Sequence, residues 1–421
     1  MMNIILLLKQ LWNERKSNTW LFTELLLVFV VLWYIVDWAY VSARTYYEPV
    51  GFDIENTYLM RLSVKTDKCS TYNPDTLHRN KAGLDVLEIV NRLRRLPEVE
   101  AVAISQNSRP YTGSNSSISL RVDTLSVTML RRPVTKDFFR VFRYENVDGS
   151  GWQTLSTALE KKQLVVSENF LPLRYKGDRT LLNREISNLD DSTEVYRIGA
   201  VTKKVRYNDF WSNYGDRYAA VLITEEEMTD LSPHYIGWVE FSIRVKPGTD
   251  AGFAERIMKA SDAQYSVGNV FILNIKPYSK IRESFQISSV NEVRTRMWMI
   301  AFLLVNIFLG IIGTFWLRTQ QRRAELGLRM AMGSTRRGLW TRLNGEGLLL
   351  LTLAMLPALI ICYTIGHVDL TDNWNIDWSI PRLLIGAIVT FILMALMIVV
   401  GIWYPARQAM NIQPAEALHE E

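Results

Sequence analysis

Residues 297–337 read MWMIAFLLVNIFLGIIGTFWLRTQQRRAELGLRMAMGSTRR. Their first half, 297–317, carries no charged side chain. As a helix it matches the span of about 20 residues that hydrocarbon requires. The second half is basic. Arg318, Arg322, Arg323, Arg329, Arg336, Arg337 and Arg342 all fall within 318–346, where Glu325 and Glu346 are the acids. A second apolar run follows at 347–366. Short cationic loops between spans stay on the cytoplasmic side, so this stretch sets both the fold class and its orientation.

Working outward, apolar windows also cover 21–41 and 382–404, giving four expected spans. Pro357 lies within the third, where neighbouring helices can satisfy the freed carbonyl. Glu24 and Asp37 bracket the uninterrupted core of the first, about 20 Å apart on a helix. Each carboxylate can then sit near one interface, with Trp33, Tyr34, Trp38 and Tyr40 forming an aromatic belt at the Asp37 end. A cleaved signal peptide is the competing reading of this window. The length of its apolar run and a charged leader reaching Lys16 favour a retained anchor. Residues 1–20 then form a cytoplasmic leader, 405–421 a cytoplasmic tail, and both termini lie inside. The acidic loop 367–381 and the long stretch 42–296 lie outside.

The chain has 421 residues, a net charge of +5 and a mean hydropathy near zero. That average conceals the split between four apolar runs and a polar remainder. The positive balance follows from topology, and no nucleic-acid partner is expected. Cys69 and Cys362 fall in different compartments, so an internal disulfide is not expected and Cys69 reads as a buried free thiol.

The 42–296 segment is long enough for a folded α+β domain. Near its start, NTYLMRLSVKT, AGLDVLEIVNRLRRL and VEAVAIS read as strand, helix and strand. Near its end, GWVEFSIRVKP, DAGFAERIMKAS and NVFILNIKP repeat that order. Two such units fit a split β-α-β sheet with helices on one face. The intervening 112–235 reads as a mainly β insertion. Residues 278–296 continue into the second span without Pro or Gly, as a stalk helix would.

The chemistry-bearing motifs are missing. The sequence contains no phosphate-cradling G-x-x-x-x-G-K-[ST], no G-x-S-x-G, no H-E-x-x-H and no C-x-x-C. His78, His234, His367 and His419 are scattered, a poor set for a metal site. Asp190–Asp191 and Glu225–Glu226–Glu227 read as solvated turns, and Asn306 as a hydrogen-bond partner for a neighbouring helix. No catalytic residue, metal or bound cofactor is expected.

Within the basic stretch, Leu328, Ala331, Met332, Leu339, Trp340 and Leu343 recur at helical spacing and predict one apolar stripe. Gly333 is expected to end a first helix in the left-handed conformation, with Ser334 as the N-cap of a second. A surface helix held against anionic membrane lipids is the simpler reading of the same pattern.

The string RAELGLRMAMGSTRR resembles the R-x-E-I-G-L-R-x-A-L-G-A-x-R signature of the MacB–FtsX family of ABC-type permeases, through Arg323, Glu325, Gly327, Leu328, Arg329, Ala331, Gly333 and Arg336. The ending YPARQAMNIQPAEALHEE is similar to the family's P-A-x-x-A-x-x-x-x-P-x-E-A-L, through Pro405, Ala406, Ala409, Pro414, Glu416, Ala417 and Leu418. RPVTKDFFRVF and QLVVSENF look like parts of its extracytoplasmic core, whereas the first span departs from the family's Gly-rich pattern. The resemblance implies a non-catalytic permease subunit of the bacterial inner membrane. ATP and Mg²⁺ would be bound by a separate ATPase not fused to this chain, and the permease would act as a homodimer or heterodimer. A periplasmic adaptor and an outer-membrane factor belong to the efflux branch of such systems. The implied ATPase-coupling residues are Arg323, Glu325, Gly327, Leu328, Arg329, Met332, Gly333, Ser334 and Arg336. The implied function is export or efflux of a hydrophobic molecule, peptide or lipoprotein. The alternative is an FtsX-like scaffold that activates an extracytoplasmic hydrolase and transports nothing.

Overall fold

The computed structural model describes residues 9, 13, 15–74, 79–122, 125–169, 182–189, 195–212 and 217–410. They divide into two compact units, Tyr47–Val290 and Met1–Tyr46 with Asn291–Glu421. Of the sequence features named above, His78, His419, Asp190, Asp191 and the tail from Pro414 lie outside the described residues.

In Tyr47–Val290, the described strands are β1 (Thr57–Val64), β2 (Val99–Gln106), β3 (Ser116–Val122), β4 (Leu125–Val134), β5 (Leu164–Ser167), β6 (Glu185–Asn188), β7 (Val195–Thr202), β8 (Tyr218–Leu222), β9 (Val239–Val245) and β10 (Val270–Pro277). β1, helix Arg79–Arg94 and β2 form one β-α-β unit; β9, helix Phe253–Gln264 and β10 form the other. Their strands interleave as β10-β1-β9-β2, every neighbouring pair antiparallel. The split β-α-β arrangement expected from the sequence is therefore present.

Alternation along the strands divides the core into two layers. Met60, Leu62, Val102, Ile104, Phe241 and Ile243 pack with Val86, Ile89, Val90, Leu93, Phe253 and Ile257 of the two helices. Leu59, Ala101 and Ala103 belong to the opposite layer, with Phe138, Phe139, Phe142 and Tyr144. The sheet thus has helices of the two units on one face and the aromatic segment Phe138–Val141 on the other, so both faces are covered. Burying each Phe is worth about 1.5–3 kcal/mol.

The insertion is a closed ring. Strands run β4-β3-β6-β7-β5-β8, and a parallel β4–β8 pairing joins the last to the first. Ile118, Leu120, Met129, Leu164, Val166, Ile186 and Ile198 fill its interior. Among the described strands, closure pairs the two strands that would otherwise be the edges of the ring.

The other unit holds long apolar helices: Arg15–Tyr47, most of Tyr278–Gln321, Arg336–His367 and Ile380–Met410. Four described helices are long and apolar enough to cross a membrane. Leu25, Phe29 and Trp33 of the first, Ile311 and Phe315 of the second, Leu351, Ala358 and Cys362 of the third, and Met394 and Ile398 of the fourth share one core. Gly347 lets three helices close up, because a Cβ there would meet Ile398 Cγ2 at 2.9 Å and Phe315 Cε1 at 3.2 Å. The 44-residue helix Tyr278–Gln321 is continuous, about 66 Å at 1.5 Å per residue. Pro357 sits inside the third helix without ending it.

Two smaller expectations, on Cys69 and Asn306, are corrected. Cys69 is exposed, its thiol 3.4 Å from Thr71 Oγ1 in a turn too open to cover it. Asn306 donates to the Phe302 carbonyl of its own helix at 2.7 Å, since that acceptor lies one turn back and needs no neighbour. Glu24 and Asp37 both have partners inside the unit. Glu24 accepts from Thr314 Oγ1 at 2.9 Å, and Asp37 takes the Arg382 guanidinium through two bonds of 2.8 and 2.6 Å.

Candidate functional site

The basic segment folds as an elbow between two of the long helices. Tyr278–Gln321 stops at Arg322, a nine-residue helix Arg323–Ala331 follows, and Arg336–His367 begins five residues later. The joint is made by hydrogen bonds that only one backbone conformation allows. Gly333 has φ +94°; its N–H donates to the Met330 carbonyl and the Ser334 N–H to the Arg329 carbonyl, each at 3.0 Å. This pair is the Schellman C-cap, which favours glycine because a side chain strains that φ.

The next helix is capped by Thr335, whose Oγ1 accepts from the Gly338 N–H at 3.2 Å. Ser334 is therefore not the N-cap the sequence suggested. Its N–H is committed to closing the preceding helix, and the cap moves one residue on.

The expected apolar stripe splits. Leu339 is buried, and Met330 and Leu343 pack against it, joining the short helix to the long one. Trp340 joins the core of the helical unit. Leu328 and Met332, by contrast, are 49% and 73% exposed. The side chains of Arg323 and Ala331 lie outside the described residues.

Charge locks the elbow. Glu346, 3% exposed, takes Arg322 Nη1 at 2.5 Å and Arg342 Nε at 3.4 Å, with Arg318 Nη2 at 3.9 Å. Arg322 also reaches Glu325 at 2.8 Å, and Arg329 pairs with the other Glu325 oxygen at 2.5 Å. Burial pushes the Glu325 carboxyl up, but the Arg322 hydrogen bonds and the Arg322, Arg329 and Arg342 charges outweigh it and hold it below the usual range. Burial pulls Arg322 down, and its bonds to Glu325 and Glu346 more than reverse that.

The coupling residues implied by the sequence thus separate by position. Glu325 and Arg329 work inward as part of the clamp, and Gly327 is buried. Leu328, Met332, Gly333, Ser334 and Arg336 are exposed, together with Thr335, Arg337 and Gly338. The elbow presents an apolar, cationic knuckle on a rigid base. The inward role of Arg322 and Glu346 was missed. The available signal was an acid at the mouth of an apolar run, four residues after Arg342.

A second charged cluster lies within Tyr47–Val290. The loop after β7 carries Arg206, fully buried, which donates to the Glu48 carbonyl at 2.5 Å and the Asp209 carbonyl at 2.8 Å. Asp209 Oδ2 accepts from Arg282 Nε and Gln286 Nε2, both at 2.7 Å. Glu48 in turn holds Lys204 Nζ at 3.1 Å and Ser212 Oγ at 2.8 Å. One loop therefore ties the residues following the first long helix to the opening turns of the second. Burial raises the Glu48 carboxyl, but Ser212, Lys204 and Arg206 together hold it below its ordinary value.

Among the described residues no group of three or more His, Cys, Asp or Glu side chains is placed to hold a metal. Glu225–Glu227 forms the first turn of a short helix, where Thr224 and Glu227 make a capping box.

Residues 297–414 match the FtsX-like permease C-terminal family. The chain is similar to the macrolide export ATP-binding/permease protein MacB 2 of Yersinia pestis, 23% identical over 312 residues that cover 73% of this chain and 44% of that one. It is likewise similar to MacB of Shewanella oneidensis, 22% identical over 338 residues covering 79% and 48%. The chain spans about half the length of these relatives. Among solved structures, the periplasmic region of MacB from Actinobacillus actinomycetemcomitans superposes over 57% of this chain and 97% of that one, at 12% identity and a TM-score of 0.34.

Proposed function

The chain belongs to the MacB/FtsX-type permease family, and from that premise we propose that it is a non-catalytic, multi-pass inner-membrane subunit that carries ATP-driven movement to its β-rich head. The family works with ABC ATPases in general. In this reading ATP and Mg²⁺ are bound by the ATPase, and the exposed knuckle at Leu328, Met332 and Gly333–Gly338 docks on it. The observation that carries the proposal is the contrast within the elbow: its acids are internally neutralised, Glu346 buried and Glu325 part-buried, while Leu328, Met332 and residues 333–338 are exposed.

The cationic elbow faces the cytoplasm and the head faces the outside, by the distribution of short basic loops. Movement of the elbow passes into the continuous helix Tyr278–Gln321. Arg282 and Gln286 near its start hold Asp209, so the loop following β7 follows the helix. The cargo in this reading is a hydrophobic molecule, peptide or lipoprotein handled on the outer side by a dimer of permeases. A head built from two β-α-β units and a closed strand ring favours export, with an adaptor and outer-membrane factor, over an FtsX-like signalling role.

The experiment is co-purification of the full chain with its ATPase in mild detergent. Met332→Glu combined with Leu328→Glu should abolish co-purification while membrane insertion persists. Undiminished co-purification rejects the docking assignment.

A further inference from the structure

A cleft of about 270 Å³ opens in the helical unit, lined by Tyr34, Asp37, Trp38, Arg296, Leu370, Thr371 and Asp372. Its walls are fixed. Asp37 is 2% exposed and held by Arg382. The same guanidinium donates to the Asp372 and Ile376 carbonyls at 3.2 and 2.6 Å, pinning the loop that carries Leu370–Asp372. Tyr34 Oη donates to the Leu370 carbonyl at 3.4 Å.

Two charges of opposite sign remain available in it. The Arg296 guanidinium lies 5.6 Å from the Trp38 ring centroid, and its ion pair is with the exposed Glu292 one turn away. Such an exposed pair is worth little and yields readily to a stronger anion. The Asp372 carboxylate accepts from the Asn375 N–H at 3.4 Å and from Asn375 Nδ2 at 3.2 Å. Among the described residues no Lys or Arg side chain is ion-paired with it. A half-buried carboxylate without a counter-charge, in one cleft with a guanidinium and an indole, suits a ligand that carries both signs.

We propose that this cleft seats the zwitterionic phosphoethanolamine headgroup of a bilayer lipid, its phosphate on Arg296 and its ammonium on Asp372. Guanidinium is suited to phosphate by its fork of donors. Asp372 supplies the discrimination, because a headgroup with no cation leaves that carboxylate unanswered. Depth argues for a lipid over a soluble ligand. At this end of the first long helix Tyr34 is exposed and Trp38 and Tyr40 are half-buried, and Trp and Tyr concentrate at headgroup level. The proposal requires only that these helices cross a bilayer, and it needs no ATPase.

The test is native mass spectrometry of the full chain in mild detergent, titrated with short-chain phosphatidylethanolamine, phosphatidylglycerol or phosphatidylcholine, and with free phosphoethanolamine. Wild type should favour phosphatidylethanolamine over phosphatidylglycerol by roughly fivefold, the worth of one partly exposed ion pair. Asp372→Asn should erase that preference, Asp372→Glu should keep it, and Arg296→Gln should weaken all three lipids alike. Equal binding of the three lipids by wild type, or a preference that survives Asp372→Asn, overturns the proposal. Free phosphoethanolamine saturating the cleft at the lipid's own concentration would overturn the assignment to a membrane lipid. A chain that binds its ATPase yet shows no headgroup preference would reject this inference alone. The reverse outcome would reject the coupling reading alone.

Discussion

Glu346 lies 2.5 Å from Arg322, and the pair joins the mouth of one apolar helix to the break that follows another. Neither residue is open to a partner: their side chains are 4% and 14% exposed. A buried ion pair adds little net stability, but removing one member leaves the other uncompensated, at about 3–5 kcal/mol. Glu346→Gln should therefore loosen the elbow more than any change at its tip. Hydrogen exchange across 323–331 should rise by roughly two orders of magnitude if about 3 kcal/mol is lost. Unchanged protection there would mean that the clamp does not hold the elbow.

Gly333 is open on all sides, since a Cβ there would meet nothing within 4 Å. The cost of Gly333→Ala is thus backbone strain alone, about 1 kcal/mol at its φ of +94°. Amides of Gly333 and Ser334 should exchange about fivefold faster, with the rest of the chain unaffected. A tenfold or greater effect spread over both flanking helices would contradict the C-cap assignment.

Much of this architecture was legible in the sequence, because it rests on local periodicity. Uncharged runs and strand–helix–strand repeats are written in adjacent residues, and so is the Gly that ends a helix. The closing β4–β8 pairing was not legible, since it joins segments with no shared local signal. Nor was Asp37–Arg382, a contact across 345 positions in which each residue alone reads as an interfacial charge. At the elbow, spacing identified the segment but not which side chains face inward. Glu325 and Arg329 belong to the family-like string, yet they serve the clamp, while Met332 projects outward. The N-cap was misplaced by one residue because the Schellman pair uses Ser334 first.

The Asp37–Arg382 pair should behave as a structural tie. Both side chains are 2% exposed, so Asp37→Asn leaves a buried guanidinium and should destabilise the helical unit by about 3–5 kcal/mol. Arg382→Lys should be nearly as harmful, because an ammonium cannot reproduce the two-pronged contact or the loop carbonyl bonds. Thermal unfolding in detergent measures both. A Tm unaltered in Asp37→Asn would show that the pair is dispensable.

Glu48 supplies a pH dependence whose sign is fixed by its partners. Its carboxyl is held below the ordinary 4.5 in the folded chain. Its contribution to stability is therefore complete above that value and disappears as pH falls through the lower folded value. Wild type should exceed Glu48→Gln in Tm at pH 7, with the gap closing only below about pH 4.5. A gap that closes between pH 7 and 5 would contradict the assignment.

Asp209 should make the helix start and the loop after β7 move as one. Asp209→Asn weakens its bonds to Arg282 and Gln286, so exchange should accelerate in 279–286 and 203–212 together while β9 stays protected. Acceleration confined to the loop would remove Asp209 from the relay.

The most direct measurement of the central claim is photo-crosslinking in intact cells from single positions of the full chain. A crosslinker at Met332, Ser334 or Arg337 should yield an adduct with the nucleotide-hydrolysing subunit, whereas one at exposed Ile388 of the fourth long helix should not. No such adduct from the knuckle, or equal capture from Ile388, would contradict the account.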